Sequence, residues 1–215
     1  MNETMLLLVR FKIGGSLRFL SHAETLRVFQ RACVRAGIRV RYSEGFNPRP
    51  KLSLPLPRPV GVESDDELLC LQVLDEADEA RINSELAAQL PEGCDLLSVD
   101  IATSGVSFQP CSATYVLPIY PKYLDERLKT AVERVMTSAH LHVHRRKDAR
   151  GLRTKNVDIR VFLKSINLNN RDIIIECRIS PTGSIRIDEI LELLELSEGK
   201  LSGPTRRTNV QWKSN

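Results

Sequence analysis

Seven cations crowd the stretch between residues 27 and 51: Arg27, Arg31 and Arg35, then Arg39 and Arg41, then Arg49 and Lys51. Guanidinium and ammonium groups in such density suit phosphate, which arginine grips through paired N–H donors. Arg27, Arg31 and Arg35 recur every four residues, so on a helix they form one slowly drifting stripe. Only Glu24 is spaced to pair with that stripe, at Arg27, and the remaining like charges repel by a few tenths of a kcal/mol per pair. Arg39 and Arg41 alternate with Ile38, Val40 and Tyr42, the pattern of a half-buried strand with a basic face. The turn "YSEGFNPRPKL" follows: Tyr42 and Ser43 open it, and Gly45 is free to take positive φ. Pro48 and Pro50 bias Asn47 and Arg49 toward extended geometry, which sets Arg49 and Lys51 on one side. Phe46 can stack on a base, but in a chain with few aromatics the expectation is a core plug beneath the turn. Arg145, Arg146 and Lys147 start a second basic run, "RRKDARGLRTK", read as a loop and a second polyanion contact. The competing reading of both clusters is a solvated charged surface, or one neutralised by the acidic segment between them.

Other reactive residues give weaker patterns. His22 follows Ser21 at the start of the basic helix. There it is either an acid–base or phosphate group at a helix N-terminus, or an imidazole packed locally in the capping turn. His140, His142 and His144 alternate and are expected on an exposed strand face, with no metal assigned. The five cysteines have no Cys-x-x-Cys spacing, which argues against zinc, an iron–sulfur cluster and a disulfide framework. Phosphate-loop, dinucleotide, serine-hydrolase and zinc-protease motifs are absent. No catalytic residue and no cofactor is assigned, and an enzyme is not the favoured class.

Elements of both kinds must position these groups. Ser21 and Glu24 make a capping box, and Leu26, Phe29 and Cys33 give the helix after it an apolar face that ends at Gly37. "TMLLLVRFKIG", "IRVRYS", "ELLCLQVL" and "CDLLSVDIA" read as strands, "LSLPLPRPV" as a sheet edge, and 75–90 as an acidic helix. After a turn-rich linker at 103–112 the order repeats. A strand at 113–120, a helix begun by Pro121, strands at 140–146, 157–166 and 171–180, a helix at 187–196 and a last strand at 206–212 follow. The fold expected is α+β: two ferredoxin-like β-α-β-β-α-β units in tandem, 1–102 and 113–215.

At 215 residues, with 42% hydrophobic and 27% charged residues, the chain has the composition of a globular protein. Charge is unevenly laid out. Residues 1–60 hold 11 Lys+Arg against 3 Asp+Glu, 61–110 hold 1 against 12, and 111–215 hold 19 against 12. No apolar run approaches the roughly 20 residues of a membrane span, and the start lacks a signal-peptide pattern, so a cytoplasmic location without membrane contact is expected.

The stretches "GGSLRFLSHAETLRVFQRACVRAGI" and "YSEGFNPRPKLSLPLPRPVGVES", with "VDIR" at 157–160, resemble the radical-SAM-linked family. This is a bacterial domain of unknown function found beside, or fused to, a radical S-adenosylmethionine protein. Ser21, His22, Arg31, Arg35, Tyr42, Ser43, Gly45, Phe46, Asn47, Pro48, Arg49, Pro50 and Lys51 sit at its motif positions. Val34 and Arg39 depart from it. The resemblance implies such a protein as partner but no activity. Together with the basic clusters it leads to an expected accessory protein that binds RNA for a separate radical S-adenosylmethionine enzyme. Two alternatives are a metal-independent endoribonuclease using His22, and an adaptor docking an acidic protein without RNA.

Overall fold

The computed structural model describes residues 5–74, 78–102, 106–146 and 154–214. The fold is mixed α+β, its sheets mostly antiparallel, and divides into two compact units: 1–110 with 206–215, and 111–205. The division falls at Pro110, inside the stretch read as a linker, and a strand already begins at Phe108. The C-terminal strand groups with the first unit, whereas its sequence position counts it in the second.

In the first unit, β1 (Met5–Ile13) lies between β4 (Cys94–Ala102) and β3 (Glu63–Val73), antiparallel to both. The other edge of β3 carries the short β2 (Leu52–Ser53), antiparallel, and the start of β10 (Arg206–Ser214), parallel. Two helices, α1 (His22–Arg35) and α2 (Glu79–Ala87), pack on one face of this sheet. Register explains the core. Leu7 stands opposite Leu71 and Val9 opposite Leu69, and these residues meet Phe29 and Cys33 of α1 and Ile82 and Leu86 of α2. Phe11 and Phe29 meet edge to face, ring centroids 4.5 Å apart. The alternate residues Leu6, Cys70 and Gln72 therefore point to the helix-free side. Burial pushes the thiols of Cys33 and Cys94 up to about 12, so both stay protonated hydrophobes.

The expected capping box is present: Glu24 N–H donates to Ser21 Oγ (3.3 Å), and Ser21 N–H to Glu24 Oε2 (2.8 Å). The Ser21 hydroxyl, donating to Glu24 Oε2 at 2.6 Å, and the Ser21 N–H hold the Glu24 carboxyl below its usual range. Gly37, at φ 66°, ends the helix as its position predicts. The stretch 38–43 is not a continuous strand. It touches the sheet through isolated bridges, Val40 to Val73 and Tyr42 to Pro50. Tyr42, expected on the apolar side, is exposed.

In the second unit, β9 (Asp172–Arg178) pairs antiparallel with β5 (Phe108–Pro118) and with β8 (Leu163–Leu168). Its helices are α3 (Glu126–Thr137) and α4 (Ile187–Leu193). Pro121 starts a separate 3-10 turn, and Asp125 caps α3. The run 157–166 is not one strand. It breaks after β7 (Thr154–Asp158), which pairs with β6 (His142–Arg146) in a separate two-stranded ribbon. The cause is Asp158, whose Oδ1 accepts from the N–H groups of Leu141 and Arg160 and turns the chain. No helix among the described residues is long and apolar enough to cross a membrane.

Candidate functional site

The loop between Ser43 and Arg49 is closed at its neck by two hydrogen bonds. Ser43 N–H donates to Arg49 O (2.8 Å), and Arg49 N–H donates to Ser43 Oγ (2.9 Å). Gly45 supplies the positive φ, 125°, that the turn needs. Glu44 through Arg49 are all exposed. Phe46, expected as a plug, is the most exposed large apolar side chain of the described residues, at 106% of its reference area. The closed neck holds its ring out of the core, to which Val40 and Leu54 on either side of the loop in sequence do belong. Neither Arg49 nor Lys51 has a side-chain hydrogen bond or ion pair among the described residues.

Below the neck, three backbones are knitted together. Lys51 N–H donates to Arg41 O (2.7 Å), Arg41 N–H to Gln72 O (2.8 Å), and Gln72 N–H to Lys51 O (3.0 Å). Those three residues line a cleft of about 590 Å³ on the helix-free side of the sheet. The cations between residues 27 and 51 are therefore not gathered on one surface. Arg27, Arg31 and Arg35 ride on α1, across the sheet from this cleft.

The α1 arginines also differ from one another. Arg27 lies beside Glu24, and Arg31 is exposed. Arg35 is turned to the end of α2, donating to Gln89 Oε1 (3.1 Å) and Gln89 O (2.6 Å), a cation at a helix C-terminus. No carboxylate of α2 among the described residues pairs with this stripe. Arg81 and Glu85 instead pair with each other at 2.8 Å. Arg39 is exposed, and its carbonyl accepts from Leu74 N–H (3.1 Å).

Only part of the second cluster lies among the described residues. Arg145 lies in β6 and is anchored, donating to Glu189 Oε1 (2.6 Å), Glu189 Oε2 (2.8 Å) and Ser184 O (2.6 Å). Glu189 also accepts from Arg186 N–H at the start of α4, so Arg145 ties the ribbon to that helix. Arg146 ends β6, and Lys147 lies outside the described residues. His140 Nδ1 lies 2.7 Å from Asp158 Oδ2, and its ring is 5.8 Å from that of His142. This contact, with the two backbone N–H groups, holds the Asp158 carboxyl well below its usual range. No metal-ligating cluster occurs among the described residues.

His22 stands at the first position of α1 and faces a separate cavity of about 10 Å³, the room of one water, lined also by Thr25, Arg58 and Glu67. Its Nδ1 is buried without a protein partner. Neither Arg49 nor Lys51 lines that cavity.

Sequence reasoning passed over Arg58 and Arg207, the two most consequential buried cations. Arg58 donates to the carbonyls of Leu17, Arg18, Leu20, Pro59 and Val62, clamping the turn that leads into α1. Burial draws its pKa down, with the Glu67 charge opposing. Arg207 of β10 is 1% exposed and pairs with buried Glu67 of β3. The signal for Arg58 was its place in "LPLPRPV", an arginine stiffened between two prolines in an apolar run.

A family model described as "Uncharacterized protein conserved in bacteria (DUF2344)" matches residues 7–191. Among solved structures, the chain is similar to the small subunit of acetolactate synthase from Thermotoga maritima, at 10% identity and TM-score 0.26, over 99% of this chain and 98% of that one. It is also similar to an unknown protein from Galdieria sulphuraria, at 13% identity and TM-score 0.26, over 99% of each chain. No curated protein matches.

Proposed function

The chain belongs to this conserved bacterial family, DUF2344, and from that premise we propose that it is a non-catalytic accessory protein that binds RNA through the first unit's loop and cleft. The observation that carries this reading is Phe46, wholly exposed at the tip of a hydrogen-bonded loop with Arg49 beside it and Lys51 at its base. Phenylalanine is ordinarily buried, and leaving a ring in water forgoes about 1.5–3 kcal/mol. A base stacked on that ring recovers part of the loss while the neighbouring cations meet the backbone. This is the combination by which single-stranded nucleic acid is held. The rigid neck keeps ring and cations in place before binding, which lowers the ordering cost.

The reading takes the first unit as ferredoxin-like, on its β-α-β-β-α-β order, and the second as a modified copy with the β6–β7 ribbon inserted. In it the chemistry belongs to a separate radical S-adenosylmethionine protein, the partner implied by the motif resemblance. The chain contributes the RNA.

The test is fluorescence anisotropy with a labelled single-stranded RNA and a Phe46→Ala variant. Stacking worth about 1–3 kcal/mol predicts a loss of affinity of roughly 5- to 150-fold. Equal binding by both proteins removes Phe46 from the interface. No binding by either favours an acidic protein as the partner of the basic surface.

A further inference from the structure

The β6–β7 ribbon, wholly within the second unit, carries an arrangement of side chains that the RNA reading does not use. One face of the ribbon is buried through Val143. The other presents His142 and His144, opposite Asp158 and Asn156 of β7. His140 stands one step before β6, its ring 5.8 Å from that of His142 and tilted 31° to it.

Asp158 fixes one of these imidazoles. Its Oδ1 accepts from the N–H groups of Leu141 and Arg160, both at 3.0 Å, so the carboxylate cannot swing. Its Oδ2 lies 2.7 Å from His140 Nδ1. An ionised carboxylate only accepts hydrogen bonds, so Nδ1 carries the proton and Nε2 keeps its lone pair. That lone pair sits on a side chain 71% exposed, within reach of solvent. A histidine whose other nitrogen donates to a fixed carboxylate is the usual form of a metal ligand.

The second imidazole is at the right separation. With a metal–nitrogen bond of about 2.0–2.1 Å, two imidazoles on one ion place their ring centroids about 5–6 Å apart. The donor set also selects the ion. Imidazole nitrogens suit zinc, copper and nickel, whereas magnesium and calcium seek oxygen, and both Asp158 oxygens are already engaged. We propose that His140 and His142 chelate a divalent transition-metal ion, with Asp158 as the positioning residue. No group of three ligands occurs among the described residues, so this is an open, two-point site in which water fills the remaining positions.

Isothermal titration of the full, tag-free chain with zinc, copper(II) and magnesium chlorides tests the site. One zinc or one copper ion per chain is expected, copper binding the more tightly, with no magnesium bound. His140→Ala and His142→Ala each leave a single imidazole and are expected to weaken zinc by roughly tenfold or more. Asp158→Asn keeps an oxygen for the two backbone N–H groups but turns an amide donor toward His140. The imidazole proton then moves to Nε2, and zinc affinity is expected to fall about 10- to 100-fold. Should Asp158→Asn melt early, the two histidine variants, both at exposed positions, still decide. Absence of zinc and copper binding, equal binding of magnesium, or zinc affinity unchanged in either histidine variant overturns the inference. Loss of binding in His144→Ala but not in His140→Ala does so too, because it moves the ion away from Asp158.

Discussion

Phe46 and Glu67 mark the two opposite ways this molecule departs from the usual placement of residue types. Phe46 is an aromatic ring left entirely in water, and Glu67 is a carboxylate taken almost entirely out of it. The second is tolerable because Arg207 pairs with it and Arg58 lies close enough to act on it electrostatically. Replacing one partner of such a pair strands the other charge in a dry site, typically at a cost of about 3–5 kcal/mol. Glu67→Gln is therefore expected to lower stability by about that amount in urea unfolding followed by circular dichroism. A change under about 1 kcal/mol would show that water reaches the pair. Arg207 was not legible as a core residue, because a partner 140 positions away leaves no local trace. Arg145 shows the same limit from the other side. It reads as one cation in a basic run until Glu189, 44 positions on, claims it.

At the scale of elements, what was legible was local. The Ser21–Glu24 box, the glycine at the end of α1 and the apolar stripe of that helix are written within one turn of the residues they organise. Ser21→Ala removes one half of the box and is expected to cost about 1 kcal/mol, read as a shift in the urea midpoint at unchanged slope. No shift would mean that the Arg58 clamp fixes the start of α1 without help from the cap. The loop after α1 shows why its own plug was misjudged. The preference of phenylalanine for the interior is a property of averages, whereas the Ser43–Arg49 closure is a property of this backbone. Likewise the strand expected at 157–166 breaks because Asp158 serves two backbone N–H groups, and no alternation pattern records that.

At the scale of the whole molecule, the α+β class and the four α-helices among the described residues follow from hydrophobic periodicity. The grouping of β10 with the first unit does not, because chain order says nothing about which strand edge is open. The charge layout needs the same correction. The basic residues from 27 to 51 do not make one surface. Arg27, Arg31 and Arg35 ride on α1, on one side of the first unit's sheet, and the cleft with Arg41 and Lys51 opens on the other. The account holds that the loop and cleft side binds RNA phosphate. The most direct test is the salt dependence of affinity for a single-stranded RNA. With Arg41, Arg49 and Lys51 each neutralising one phosphate, the logarithm of affinity should fall with the logarithm of salt at a slope of about −2. Arg49→Ala with Lys51→Ala should flatten it to about −0.7. A slope near zero, or one unchanged in the double variant, would contradict the account.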